Sequence, residues 1–191
     1  NPRAYSRLRD VFSAHGIGYL FLNGGNGSMA ALHEISLAMQ ALGYPLTCIG
    51  IPKTVDNDLF GTDTCPGFGS VSKYVAVSVR EAGFDVAAMA KTSTKIFVLE
   101  AMGRHSGWIA AAAGLASERE GDPPHLLLFP EVPFNPEEFL TRVQSIVSAY
   151  GYCVIVAAEG VLDTEGRELM ETATHDAEGH ACVAGVGQLV A

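Results

Sequence analysis

The sequence predicts an α/β protein with a doubly wound, mostly parallel sheet and helices on both faces. Short and nearly continuous apolar runs recur along the chain, segments of helical periodicity separate them, and polar or glycine-rich residues follow several runs. Nearly continuous apolar runs are typical of strands that are covered on both faces. The 191 residues are 48% hydrophobic, which is enough for one ordinary globular core, so one domain is expected.

Five apolar runs are the predicted strands. They are "IGYLFLN" (17–23), "LTCIGI" (46–51), "IFVLEAM" (96–102), "HLLLFPEV" (125–132) and "YCVIVAAEG" (152–160). All are shorter than the roughly 20 apolar residues of a membrane-spanning helix. Because ligands of such sheets bind beyond the carboxyl ends of the strands, the residues that follow these runs are the candidate site.

Three helices are predicted between the strands. Segments 28–42 and 69–90 repeat apolar residues at a period close to 3.6. The third helix has the best start signal, with Asn135 as N-cap and Pro136 in the first helical position. Glu138 is placed to close a capping box, and Phe134 to pack on Phe139.

Charge and cysteine usage limit the partners and the compartment. A net charge of −9, without a run of basic residues, argues against nucleic acid and against an anionic membrane surface. Four cysteines without a CxxC spacing are expected to be reduced thiols, and no signal peptide is evident, so a cytoplasmic protein is predicted. The chain starts at Asn1 without a methionine, which suggests a piece of a longer protein.

A glycine-rich turn follows the first predicted strand. "NGGNGSM" (23–29) leads into a helix, and glycines here let the backbone present its N–H groups to an anion. The same composition also occurs for steric reasons alone, so the turn by itself is weak evidence for a phosphate site.

The stretch "GIPKTVDNDLFGTDTCPGFGS" (50–70) follows the second predicted strand. Asp56 and Asp58 stand one residue apart, and such like charges repel unless a cation or a transferred proton lies between them. A calcium-binding EF-hand loop is excluded because Phe60 and Gly67 would occupy ligating positions. A solvated turn remains an alternative, but Lys53 and Thr54, which precede the aspartates at the end of a strand, favour a chemical role for this stretch.

Two further polar groups follow the third and fifth predicted strands. "EAMGRHSGW" places Arg104 beside a glycine, where a fixed guanidinium suits a phosphate or a sugar hydroxyl, and Glu159 precedes Gly160. Four polar groups at one edge of a sheet are hard to explain by packing alone. Together they predict a phosphate-handling site.

The motifs "GGNGS", "PKTVDNDL", "TDTCPGFGS", "KTSTKIFVLEAMGRHSGW", "FPEVPF" and "VAAEG" resemble the phosphofructokinase family, most closely its pyrophosphate-dependent branch. The resemblance implies a Rossmann-like phosphofructokinase fold and, as part of glycolysis, Mg²⁺-dependent phosphoryl transfer to the 1-hydroxyl of fructose 6-phosphate. It also implies a homodimer or homotetramer. Residues 1–191 would be the central part of the catalytic domain, with the family's first donor-phosphate loop and its later sugar-phosphate motif outside the chain.

The resemblance also implies roles for individual residues. Asp56 matches the general base, Asp58 a carboxylate that binds substrate and magnesium, and Thr54 a donor to the transferred phosphoryl group. The residues implied to bind the sugar phosphate are Met102, Gly103, Arg104, Glu159 and, from a neighbouring subunit, Lys95. Those implied to hold the donor phosphate are Gly25, Asn26, Gly27, Ser28 and Lys53, with Asn26 as a second metal ligand.

Two positions bear on the phosphoryl donor. Lys53 resembles the pyrophosphate branch, where its ammonium group neutralises the leaving phosphate. Gly27 stands where that branch usually carries an aspartate that excludes nucleotide, so ATP remains the alternative donor. We expect pyrophosphate.

Two other classes of function are set beside this one. A non-catalytic sugar-phosphate-binding relative would keep the fold, but it would not need a base at Asp56. A diacylglycerol-kinase-like or NAD-kinase-like phosphotransferase would share the "GGNGS" turn, but it would not predict "PKTVDND" or "MGR".

Overall fold

The computed structural model describes residues 2–169, 174–175, 181–182 and 185–190. Its elements, in chain order, are α1 (Pro2–Ala14), β1 (Tyr19–Gly24), α2 (Asn26–Ala41), β2 (Thr47–Pro52), α3 (Phe68–Met89), β3 (Ile96–Ala101), α4 (Trp108–Ala113), β4 (Leu126–Leu128), α5 (Pro136–Tyr150), β5 (Cys153–Ala158), β6 (Thr174–His175), β7 (Ala181–Cys182) and α6 (Val186–Val190). The predicted α/β class with parallel strands is confirmed. No described helix is long and apolar enough to cross a membrane.

The chain forms two compact units where the composition suggested one domain. Unit 1 contains residues 1–54 and 59–66, and unit 2 contains residues 55–58 and 67–191. The strands divide in the same way, since β1 and β2 form one parallel sheet while β3, β5 and β4 form another in that order. The predicted strands therefore exist, but they belong to two sheets, each with its own helices.

Unit 1 packs helix α2 on one face of the β1–β2 sheet. Helix α2 contacts both strands, and Leu32 and Met39 are its buried residues. A Cβ added to Gly50 would lie 2.7 Å from the Met29 sulfur, so α2 covers the face to which Gly50 belongs. Helix α1 packs against α2 and buries Phe12.

The opposite face of this sheet is exposed. Tyr19 and Phe21 of β1 are 67% and 59% exposed, and Ile49 and Ile51 of β2 are 39% and 47% exposed. The pairing of Phe21 with Ile49 puts these side chains on one face. The expectation that every strand is covered on both faces is therefore wrong for β1 and β2.

Unit 2 has its core around β5. All six residues of β5 are buried, as expected for a central strand between β3 and β4. Helices α3 and α4 pack on each other and on this sheet, with Val79 and Ile109 almost completely buried. The prediction of coverage on both faces is confirmed for β5.

Helix α5 begins with the N-cap and the aromatic contact that the sequence predicts, but the described hydrogen bonds do not include the bond from the Asn135 N–H to Glu138 that would close the capping box. The Asn135 side chain accepts hydrogen bonds from the N–H groups of Glu137 and Glu138, at 3.0 and 3.2 Å. The rings of Phe134 and Phe139 lie 5.2 Å apart between centroids. These contacts fix the direction in which the chain enters the helix.

The described cysteine side chains, Cys48, Cys65 and Cys153, are not in disulfides. Burial raises the pKa of the Cys153 thiol to about 11. The prediction for Cys182 lies outside the residues whose side chains are described.

His125 gives unit 2 a testable pH dependence. Its Nδ1 accepts the Val154 N–H at 2.9 Å, and burial lowers the pKa of the imidazole below its ordinary value of 6.5. A lowered pKa means that the unfolded chain binds the proton more tightly, so stability is present above pH 6.5 and is lost as the pH falls through the folded-state pKa. We expect the unfolding temperature of unit 2 to fall as the pH is lowered from 6.5 through the folded-state pKa of His125.

Asparagine at position 125 is the matched variant for this test. Its side-chain oxygen can accept the same N–H but does not titrate, so His125→Asn should flatten the acidic limb in thermal unfolding followed by circular dichroism. An unchanged acidic limb in His125→Asn would show that other groups cause the pH dependence.

Candidate active site

The glycine turn of unit 1 lies beside the residue that follows β2. The Lys53 N–H donates to the Gly24 carbonyl at 2.8 Å, and a Cβ added to Gly25 would lie 3.3 Å from the Lys53 carbonyl oxygen. Helix α2 begins at Asn26 with Gly25 as its N-cap. The backbone N–H groups at the start of this helix are therefore those of residues in the glycine turn. The structure thus brings together the residues predicted to hold the donor phosphate, namely Gly25, Asn26, Gly27, Ser28 and Lys53.

Unit 2 contains the aspartate loop, which we define as Val55–Asp58. Asp56 and Asp58 are half-buried, and Asn57 is 8% exposed. Asn57 has φ of +57°, a left-handed conformation that asparagine adopts more readily than most other residues with a side chain. The Ser106 hydroxyl donates to the Asp56 carbonyl oxygen at 3.2 Å. The loop therefore contacts the chain segment that follows β3.

That segment is the β3 turn, which we define as residues 102–107. Gly103 has φ of +131°, and a Cβ there would overlap the Ser106 carbonyl oxygen, so this position requires glycine. The Gly103 N–H donates to Glu159 Oε1 at 3.3 Å. A Cβ on Gly160 would overlap the Arg104 carbonyl oxygen. The structure therefore joins the predicted residues Met102, Gly103, Arg104 and Glu159.

The aspartates and the β3 turn meet at one edge of the unit 2 sheet. The turn follows the carboxyl end of β3, and Glu159 follows the carboxyl end of the neighbouring β5. The hydrogen bond from Ser106 brings Asp56 to the same edge. Carboxylates, a guanidinium and a fixed backbone turn at this position can bind a hydroxylated, phosphorylated ligand and remove a proton from it.

Lys95 lies at the other end of the sheet. It precedes β3, and its carbonyl accepts the Cys153 N–H at the start of β5. A strand rises about 3.3 Å per residue, which puts the Lys95 backbone roughly 20 Å from the β3 turn. Within one chain, the structure does not bring Lys95 to the other predicted residues.

Sequence reasoning missed two supports of the β3 turn. Ser106 is 5% exposed and contacts the aspartate loop, while Glu131 Oε1 accepts the Gly107 N–H at 2.8 Å. Both residues stand inside the quoted motifs, in "GRHSGW" and "FPEV". No spacing rule could have selected them, because each bond joins segments that are distant in sequence.

The larger cavity of unit 2 lies away from these residues. It has a volume of about 410 Å³ and is lined mainly by β4, the segment after it and the start of α5, including His125, Phe134 and Arg142. None of the predicted site residues lines this cavity. The candidate site is therefore identified by the chemical properties of its residues and not by the size of a cavity.

Comparison with known proteins identifies the family. The profile of the phosphofructokinase family matches residues 1–189. The chain belongs to the phosphofructokinase family. The resemblance seen in the motifs is confirmed, and three of these motifs, "GGNGS", "PKTVDNDL" and "KTSTKIFVLEAMGRHSGW", contain the glycine turn, the aspartate loop and the β3 turn.

Individual phosphofructokinases show the likeness to the pyrophosphate-dependent branch. The pyrophosphate–fructose 6-phosphate 1-phosphotransferase of Methylococcus capsulatus is 54% identical over 191 residues, which are 100% of this chain and 46% of that protein. The crystal structure of the pyrophosphate-dependent phosphofructokinase from Marinobacter aquaeolei is 59% identical with a TM-score of 0.74, covering 85% of this chain and 42% of that one. The enzyme from Nitrosospira multiformis is 56% identical with a TM-score of 0.77, covering 87% and 42%.

The chain spans about half the length of the phosphofructokinases it matches. These neighbours confirm the predicted fold for the part of the family that the chain covers.

Proposed function

We propose that the protein containing this chain transfers a phosphoryl group from pyrophosphate to the 1-hydroxyl of fructose 6-phosphate, in glycolysis and in the cytoplasm. The observation that carries the proposal is the cluster in unit 2, where Asp56 lies next to the turn of Arg104 and Glu159. The names of relatives that are 52–54% identical support the reaction.

Asp56 is the proposed general base. Its carboxylate accepts the proton of the sugar 1-hydroxyl, and the resulting oxygen attacks the transferred phosphorus while the second phosphate leaves. Phosphoryl transfer needs little more than alignment and neutralisation of charge besides this base. Thr54 donates a hydrogen bond to the transferred group, and the Lys53 ammonium neutralises the leaving phosphate.

Phosphofructokinases typically use a divalent cation, which we infer to be Mg²⁺. Among the described residues, no group of three or more His, Cys, Asp or Glu is arranged to hold a metal. Mg²⁺ is usually held by one or two carboxylates together with substrate phosphates and water. Asp58 and the Asn26 side-chain oxygen are each proposed as a ligand that a cation could use, and the cation would neutralise phosphate charge.

The β3 turn and Glu159 are the proposed sugar-binding residues. Arg104 binds the sugar phosphate or a hydroxyl, Glu159 accepts sugar hydroxyls, and the backbone of Met102 and Gly103 completes the turn. Lys95, at the opposite end of β3, is proposed to reach the sugar phosphate of a neighbouring subunit, which requires a homodimer or homotetramer.

Pyrophosphate is the proposed donor, and ATP is the second candidate. Lys53 acts on the leaving group in the transition state, whereas an aspartate at position 27 would act by excluding nucleotide. Gly27 removes that exclusion and is the observation that favours ATP. The absence of an aspartate that excludes nucleotide does not by itself create a pocket for adenosine. Pyrophosphate is therefore preferred to ATP as the proposed donor.

The donor is tested with the full-length protein. At saturating fructose 6-phosphate, we expect faster turnover with pyrophosphate than with ATP, and Lys53→Gly should lower pyrophosphate turnover by at least about tenfold, or about 1.4 kcal/mol. Arg104→Ala is the matched variant, because it should raise KM for fructose 6-phosphate far more than KM for pyrophosphate. Faster turnover with ATP would overturn the proposed donor.

A further inference from the structure

We propose that Ser106 is a positioning residue that holds the proposed base, Asp56, against the sugar-binding turn. The proposal rests on the proposed function, since it assigns Ser106 a role only through Asp56. Ser106 is 5% exposed, and its hydroxyl donates to the Asp56 carbonyl oxygen at 3.2 Å across 50 residues of sequence. This bond attaches the aspartate loop to the β3 turn.

The aspartate loop needs such an attachment because its backbone conformation is uncommon. Asn57, the residue after the accepting carbonyl, has φ of +57° and is buried. Asparagine adopts this conformation more readily than most residues with a side chain, but it still costs free energy, so contacts around it help to keep it in place. The bond to the Asp56 carbonyl restrains the peptide unit that leads into Asn57, and with it the direction of the Asp56 side chain.

The β3 turn, in contrast, is fixed at both ends. Gly103 donates to Glu159 Oε1 at 3.3 Å, and Gly107 donates to Glu131 Oε1 at 2.8 Å. Ser106 lies between these two anchored glycines, one residue before the second. The hydrogen bond from its hydroxyl therefore holds the aspartate loop in a fixed position relative to the β3 turn.

The chemical consequence is alignment of the base with the sugar. A catalytic group displaced by about 1 Å can lose up to about 10²-fold in rate. The Ser106 hydroxyl donates to a carbonyl and takes no part in proton transfer, so its removal should slow turnover without weakening pyrophosphate binding. We expect Ser106→Ala to lower kcat by about tenfold and to leave KM for pyrophosphate within about twofold.

The test is a double-mutant cycle in the full-length protein, with Ser106→Ala, Asp56→Asn and the double variant assayed with pyrophosphate and fructose 6-phosphate. If Ser106 acts through Asp56, Ser106→Ala has no further effect on the residual rate of Asp56→Asn. Ser106→Thr restores the hydroxyl and should recover most of kcat. Ser72→Ala, a serine of α3 with a buried hydroxyl, is the matched control and should keep full turnover.

The outcomes separate this proposal from the proposed function. A large loss in Asp56→Asn, with the same tenfold loss for Ser106→Ala in both backgrounds, overturns the positioning role and leaves the base in place. Full kcat in Ser106→Ala also overturns it, and a lower unfolding temperature with unchanged kcat would mark Ser106 as structural only. Near-normal turnover of Asp56→Asn overturns the base and, with it, the role of Ser106.

Discussion

Replacing Asp56 with asparagine in the full-length protein is expected to lower kcat by about 10²- to 10⁴-fold, the usual cost of removing a general base. Asparagine keeps the size of the side chain but cannot accept the proton of the sugar hydroxyl. KM values for both substrates should change little, because the loss concerns the transition state. Initial rates with both substrates saturating measure the effect.

Asp85→Asn is the matched control for this variant. Asp85 is an exposed residue of α3, and its replacement makes the same chemical change outside the proposed site. We expect it to keep full turnover. Turnover of Asp56→Asn within a few-fold of the parent, at saturating substrate, would contradict the assignment of the base.

Adding one methyl group at Gly160 is expected to damage sugar binding severely. A Cβ there would overlap the carbonyl oxygen of Arg104, and a backbone atom cannot swing away as a flexible side chain can. The β3 turn must shift, so Gly160→Ala should raise KM for fructose 6-phosphate by about tenfold or more and destabilise unit 2 by about 1–3 kcal/mol. Steady-state kinetics and urea unfolding measure these two effects.

Gly69→Ala is the matched control for the clash. A Cβ at this helical position of α3 meets no heavy atom within 4 Å, and alanine favours a helix over glycine. It should be neutral or slightly stabilising. An unchanged KM for fructose 6-phosphate in Gly160→Ala would show that the β3 turn does not position the sugar.

The sequence predicted elements where local chemistry decides the structure. The start of α5 is an example, because the Asn135 cap and the packing of Phe134 on Phe139 involve residues only a few positions apart. The run 125–132 was predicted less well, since only Leu126–Leu128 forms a strand. Pro130 lacks the N–H group that a sheet requires, so the strand cannot continue through the rest of the run.

The division into two sheets could not be read from the apolar runs. Tyr19 and Phe21 of β1 and Ile155 of β5 belong to runs of similar hydrophobicity, yet the first two are exposed and the third is fully buried. Burial depends on which helices return to each sheet, and this is a property of the whole chain.

Only part of the candidate site could be predicted from the sequence. Asp56, Arg104 and Glu159 were selected because each follows a predicted strand, and unit 2 does bring them to one edge. The role proposed for Ser106 required coordinates, because a hydroxyl that reaches across 50 residues leaves no local pattern.

The exposed face of β1 and β2 has a practical consequence for experiments. Tyr19, Phe21, Ile49 and Ile51 form a contiguous apolar strip, and such strips bind other apolar surfaces. A preparation of these 191 residues alone is therefore expected to self-associate and to bind hydrophobic dyes. Light scattering would not distinguish association through this strip from a native dimer, so subunit stoichiometry should be measured on the full-length protein.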